Sequence, residues 1–432
     1  MGRVPEDGLR YGALASIKGA AKKELERRYR FGKRRAFFLS LLVILAFFRW
    51  IPGGSALDPT TGIRGYLELG LLSLAVAIAL MWWRKRVFEA LISGWWLMLP
   101  SFWAMLSVLW SPMPLLTLAK AGELFFLNLL ALLFAQSGLS LNDWLDVLKK
   151  VLLVILTLGL CLNISYYGTP LYFGPPYGES FALETSRHRL TLAADHPLVV
   201  GHMFALLLLV SAYRLKSLQG MLGAAVGIGG LLATQARASI AISLAAVIWT
   251  WFVFLGKRYK WSGFIMQLIL LILSLASLPW LLRSGLEIAS TYAPDLDTLN
   301  SRIPLWASTI EVLFSNLQML LLGTGLEATR FITFDLALWS PGHTHNGYLE
   351  IFASLGLIGL ALYLPVFVFL FGRLFNPYVS GFALYILGLA LFNPVFNPGF
   401  LWFFILVIAL LDKREGKSAY PQTSHPLPAA GR

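Results

Sequence analysis

The sequence predicts an all-α, polytopic membrane protein with about 12 transmembrane helices, and three observations predict it. The 432 residues are 57% apolar and 14% aromatic but only 13% charged, whereas a water-soluble domain of that length needs more polar surface. Apolar runs of roughly 15–22 residues recur from end to end, near the length a helix needs to cross hydrocarbon. Basic residues mark alternate connections between these runs, the asymmetry that labels the cytoplasmic side.

The runs give spans over 36–52, 65–83, 88–110, 115–135, 150–166, 197–213, 218–235, 238–256, 262–283, 346–371, 378–393 and 399–411. Arg84-Lys85-Arg86, Arg214 with Lys216, Lys257-Arg258-Tyr259-Lys260, Arg373 and Lys413-Arg414 all fall on one side, so both termini are expected in the cytoplasm. Lys120 and Glu123 interrupt the fourth span and read as a pair three residues apart. Residues 1–35 carry 11 Lys/Arg against 4 Asp/Glu. That charge and length do not suit a cleavable signal; the segment reads as a leader held to anionic membrane lipids rather than as a nucleic-acid arm. The transmembrane unit runs over 36–411, and 412–432 form a cytoplasmic tail. Cys161 is the single cysteine, which excludes an internal disulfide and a cysteine-based metal site.

Two long connections face outwards, about 167–196 and 284–345, and 303–323 of the second reads as an amphipathic helix lying along the membrane. A chain with both large loops on one face is built to work there. No internal repeat is visible, which speaks against an inverted-repeat transporter.

The second loop ends in Gly342-His343-Thr344-His345-Asn346-Gly347-Tyr348-Leu349-Glu350, where a polar loop enters an apolar helix. A histidine at such a mouth exchanges protons or grips an anion near neutral pH, so His345 is the candidate base. His343, outside the helix, reads as a loop histidine. Arg237 lies in a short link between two spans, where it either snorkels or meets an anion. Arg302 precedes the loop helix; Arg187 and Arg189 lie in the first loop. Arginines from separate outer loops around one histidine suit a phosphate-bearing ligand, because the guanidinium fork grips phosphate in two places and stays charged. With a diphosphate leaving group, two arginines neutralise the charge as the bond breaks while histidine deprotonates an acceptor hydroxyl. No divalent-metal ligand set is read among Glu184, Asp195, Asp295, Asp297, Asp335 and Glu350, and no cofactor is implied. Glu350, five residues after His345, is not expected to share its face. Gly356 and Gly359, one turn apart, read as a site of close helix approach.

His345-Asn346, nine residues, then Gly356-Leu357-Ile358-Gly359 resembles the His-(Asn/Ser/Gln)-x9-Gly-x-x-Gly motif of the bacterial O-antigen ligases and related polysaccharide polymerases. Gly323-Thr324-Gly325 in the outer loop agrees with that family. Arg302 with Trp306 resembles its Arg-x3-Trp, and Gln235-Ala236-Arg237-Ala238 is similar to its Ser-Arg-Gly link, with Ala where Ser and Gly are common. Arg189 with His196-Pro197 is a looser match. The resemblance implies a GT-C-type, metal-independent, inverting glycosyltransferase of the bacterial inner membrane, working at the periplasmic face on an undecaprenyl-diphosphate-linked glycan. The acceptor would be lipid A-core for a ligase, a second lipid-linked glycan for a polymerase, or a protein in some relatives. His345 would activate the acceptor, with Arg237 and Arg302 on the diphosphate; Arg189, Arg187, Asn346 and His343 would help bind substrate. A lipid-linked anion transporter and a membrane scaffold are the competing readings.

Overall fold

The computed structural model describes residues 29–48, 63–174, 189–192, 197–215, 217–258, 302–333, 343–396 and 399–418. The expected span over 262–283 lies outside these residues. Helix α1 occupies 29–47; α2 (Ile63–Trp83), α3 (Val87–Leu106), α4 (Pro114–Ala135) and α5 (Leu141–Tyr167) follow. Strands β1 (Tyr172–Phe173) and β2 (Leu190–Thr191) form a two-residue antiparallel ladder pairing Tyr172 with Thr191. This ladder is a small departure from the all-α expectation. Next come α6 (Pro197–Ala212), α7 (Leu218–Thr234), α8 (Arg237–Arg258), α9 (Arg302–Ser315), α10 (Leu317–Leu322), α11 (Arg330–Thr333), α12 (Gly347–Phe371), α13 (Ser380–Leu389) and α14 (Phe400–Ser418).

Five helical stretches among the described residues are long and apolar enough to cross a membrane: Leu67–Leu109, Pro114–Ala135, Leu141–Tyr167, Arg237–Lys257 and Gly347–Phe371. The first is 43 residues, which as one straight helix would be about 65 Å long, twice the hydrocarbon thickness. It divides at a 3-10 turn over Arg84–Arg86 into two of the expected spans, and α4 packs along both halves. Three further apolar helices, α6, α7 and α13, are shorter.

Helix α14 occupies the stretch expected as a span over 399–411. Its twelve residues Phe400–Leu411 are all buried, so it is an enclosed axis of the bundle rather than a lipid-facing span. Asp412 ends that apolar half, accepting from Arg373 Nη1 at 2.8 Å and from Asn376 Nδ2 at 2.8 Å. Deeper in, Trp402 Nε1 donates to Asn128 Oδ1 at 2.9 Å, and Asn128 Nδ2 donates to Leu97 O and Ser101 Oγ. This knot satisfies every polar atom of a buried amide while joining α3, α4 and α14. Lys120 Nζ lies 2.9 Å from Glu123 Oε2, the expected pair, and reaches Glu68 Oε2 of α2 at 3.4 Å.

The loop helix is not the single element expected over 303–323. It breaks at Asn316, whose Oδ1 accepts from the backbone of Gln318 (2.9 Å) and Met319 (3.2 Å) and so starts α10 afresh. Asparagine is a strong N-cap.

Candidate active site

The foundation of the site is a break in α12. Gly356 has φ 69 and ψ −172, a conformation essentially restricted to glycine. Unwinding there frees carbonyls that helical partners would otherwise satisfy. Each finds a donor from elsewhere: Ala353 O accepts from Thr324 N (3.0 Å), Ser354 O from Gly325 N (2.8 Å), and Leu355 O from Trp103 Nε1 (2.9 Å). The Gly323-Thr324-Gly325 turn therefore plugs into the helix break, with Gly323 at φ 74 and Gly325 at φ 103. A Cβ on Gly356 would sit 2.2 Å from Leu321 O, and one on Gly323 would sit 2.4 Å from Leu355 N. Gly356 thus admits the C-terminal end of α10, the close helix approach that its spacing to Gly359 suggests, and the turn that follows α10 enters with it. Gly359 meets the same corner, its Cβ position lying 3.2 Å from Trp103 Cδ1.

On this base the histidine loop is clamped at both ends. Asn346 is the N-cap of α12; its Oδ1 accepts from Tyr348 N and Leu349 N, both at 3.0 Å. Glu350, fully buried, turns back under the loop. Its Oε2 accepts from Thr344 N (2.8 Å) and Thr344 Oγ1 (2.9 Å), and its Oε1 accepts from Thr329 Oγ1. Between these anchors His345 adopts φ 55, the left-handed region that a non-glycine residue enters at a cost. His345 N donates to His343 Nδ1 at 3.1 Å, and the two rings meet edge to face with centroids 4.1 Å apart.

Helix α13 supplies the other wall through its C-terminal carbonyls, which lack helical partners and carry the negative end of the dipole. Gly347 N donates to Ala390 O (2.6 Å), Tyr348 Oη to Leu387 O (2.9 Å), Asn346 Nδ2 to Leu391 O (3.3 Å) and Arg302 Nη1 to Phe392 O (2.9 Å). Asn346 and Arg302 thus hold consecutive carbonyls, which brings Arg302 to the histidine loop, where its charge acts on His343. Trp306 Nε1 donates to Thr344 O at 2.7 Å, so the Arg-x3-Trp spacing pins one turn of α9 to the histidine loop. Burial lowers the pKa of the Arg302 guanidinium, and among the described residues Nη1 is its one donor with a hydrogen-bond partner.

Arg237 opens α8 and is tied to the same wall by a different route. Two residues on, Ser239 Oγ lies 3.0 Å from His202 Nδ1, and His202 Nδ1 lies 3.1 Å from Tyr385 Oη of α13. Gly201 lets α6 press against the link before Arg237, since a Cβ there would be 2.7 Å from Ala236 Cβ. Arg189 sits at the start of β2, its carbonyl accepting from Gly174 N at 3.1 Å, and β2 rests on α6 and α7. Arg187 and His196 lie outside the described residues. So do Asp295 and Asp297, which stand in Asp-x-Asp spacing.

Residues beyond those expected also reach the site. Arg330 pairs with Glu327 at 3.3 Å, and both act on His343 through space. Their signal was local, a pair three apart. Tyr385 and His202 are 183 positions apart and carry no such signal. Among the described residues, the non-glycine positive-φ positions are Gln235, Glu327 and His345. Each borders a basic group of the site: Arg237, Arg330 and His345 itself. Gln235 takes its positive φ as the left-handed C-cap of α7.

His343 has a pH signature. Desolvation first, and then Arg330 and Arg302 against the opposing pull of Glu327, hold it down to about 4 from an ordinary 6.5. Its Nδ1 is therefore an acceptor, not a cation, at neutral pH. As pH falls from 6.5 towards 4 the unfolded chain takes a proton that the folded chain refuses, so stability drops, with a ceiling of roughly 3 kcal/mol. His343→Asn should flatten the fall of the thermal midpoint over this range. An equally steep profile in both proteins would refute the neutral-acceptor assignment.

Residues 222–364 match a family model described as O-Antigen ligase. No curated protein matches the chain.

Proposed function

We propose, from the match of residues 222–364 to the O-antigen ligase family model, that the protein transfers a glycan from undecaprenyl diphosphate to the lipid A-core of lipopolysaccharide at the periplasmic face of the inner membrane. The observation that carries this reading is His345, held at φ 55 between the Asn346 cap and the Glu350 clamp, with Arg302 on the adjoining carbonyl. His345 takes the proton of the acceptor hydroxyl. The oxygen attacks the anomeric carbon of the glycan from the face opposite the leaving group, and the bond to the diphosphate breaks with its electron pair going to the phosphate oxygen. A single displacement of this kind inverts the anomeric centre. Arg302 and Arg237 neutralise the diphosphate as it departs, through charge-assisted, two-pronged hydrogen bonds that strengthen as charge develops.

The test is reconstitution of purified protein with undecaprenyl-diphosphate-linked glycan, with and without lipid A-core. Product on lipid A-core supports the ligase; a ladder formed from donor alone makes the same site a polymerase; no covalent product with lipid A-core, with donor alone or with added protein acceptors overturns the transferase reading. Within that assay, Arg302→Lys and Arg237→Lys should each slow transfer about a hundredfold, because a point charge does not replace the planar fork. Rates near wild type in both would remove the arginines from the diphosphate.

A further inference from the structure

The basic residues of the opposite boundary gather around a cavity of about 350 Å³ between α1, the α2–α3 turn and the α4–α5 connection. Its lining includes Arg35, Arg84, Lys85 and Arg86 together with Trp82 and Trp83, and no carboxylate among the described residues. Arg35 is held in place by aromatic rings: its guanidinium carbon lies 4.1 Å from the Phe31 ring centroid and 5.0 Å from that of Trp82. Its Nε is buried without a hydrogen-bond partner among the described residues. Stacking covers the faces of a guanidinium and leaves its edge as the place for an anion. Arg86 is fixed from the other side, Nη1 donating to Gln136 O.

We propose that this cavity holds the phosphate of an anionic phospholipid headgroup. Four cations in one concavity carry a positive charge that nothing in the lining offsets, and a phosphate with several oxygens meets several donors at once. The ligand's remaining part is apolar, because the lining includes Met81, which is 66% exposed, and Trp82, against whose ring Phe38 lies with centroids 6.4 Å apart. Tryptophans at this level match the headgroup depth of a bilayer. The volume is at the small end for ligand pockets, which suits a glycerophosphate headgroup and excludes a polymeric glycan. The site is separate from the His345 region and does not depend on the transfer reaction.

The experiment is native mass spectrometry of the full chain in mild detergent, titrated with phosphatidylglycerol or phosphatidylcholine. Wild type should bind phosphatidylglycerol at least tenfold more tightly than phosphatidylcholine. Arg35→Gln, and separately the pair Arg84→Gln with Lys85→Gln, should remove that preference while leaving the phosphatidylcholine signal unchanged. The paired variant is the decisive one, because Arg84 and Lys85 are exposed and their loss does not disturb packing; an unchanged thermal midpoint verifies this. Equal retention of both lipids by wild type, or an unaltered preference in the paired variant, overturns the proposal. Displacement of the lipid by equimolar inorganic phosphate also overturns it, since the site would then take the free anion.

Discussion

His345→Ala should lower glycan transfer by roughly 10²–10⁴, the range a positioned general base contributes, while the protein stays folded. The fold survives because the anchors of the loop lie elsewhere: the Asn346 cap, the Glu350–Thr344 clamp and the Trp306–Thr344 bond involve no atom of the His345 side chain. Alanine does tolerate φ 55 less well than asparagine, which enters the left-handed region more readily. His345→Asn is therefore the companion variant, retaining the backbone conformation without a base of suitable strength. Both should show a thermal midpoint close to wild type and nearly the same loss of transfer. Substantial transfer by a well-folded variant of either kind would end the base assignment.

Gly356→Ala should damage the protein in the other order, fold first and activity as a consequence. The residue's φ of 69 with ψ −172 costs any side chain on the order of 1–3 kcal/mol. The added Cβ would also lie 2.2 Å from Leu321 O and 2.5 Å from Leu322 N, backbone atoms that cannot rotate aside. Relief requires expelling the Gly323–Gly325 turn, which orphans Ala353 O and Ser354 O inside the protein at a further ~1–3 kcal/mol each. A fall of more than 10 °C in thermal midpoint, or failure to accumulate in the membrane, is expected. Gly70→Ala is the control: it lies within α2 with nothing within 4 Å of the new Cβ, and it should be neutral or slightly stabilising. Equal effects from the two substitutions would mean that the break in α12 is not specified by Gly356.

What the sequence made legible follows from the range of each interaction. Helices α2 to α5 are set by hydropathy within one segment, so runs of apolar residues announce them. The histidine loop announces itself as well, since Asn346 caps the very helix it precedes. The partners of these residues are a different matter. Arg302 holds Phe392 O, 90 positions away, and Trp103 holds Leu355 O, 252 away; no local pattern encodes such pairs. Gly356 shows how a local pattern gives part of a role: glycines one turn apart suit the helix packing that α10 and α3 provide, and only the position of Gly323-Thr324-Gly325 in space reveals a plug as well. Glu350 was set aside because it does not share a helix face with His345, yet a chain that doubles back lets it seize Thr344. The Asn316 break was available locally, as asparagine is a known helix starter, but the apolar periodicity across 303–323 masks it.

The carbonyls at the end of α13 carry a consequence for how the protein is made. During synthesis the ribosome completes the histidine motif, and the whole of 222–364, before Leu387, Ala390, Leu391 and Phe392 exist in the chain. Until they emerge, Gly347, Tyr348, Asn346 and Arg302 lack the acceptors they hold in the finished protein. A nascent chain stopped near residue 380 would therefore display every motif residue and no assembled centre. Assembly of the histidine loop against its acceptors thus waits until the C-terminal helices have entered the bundle.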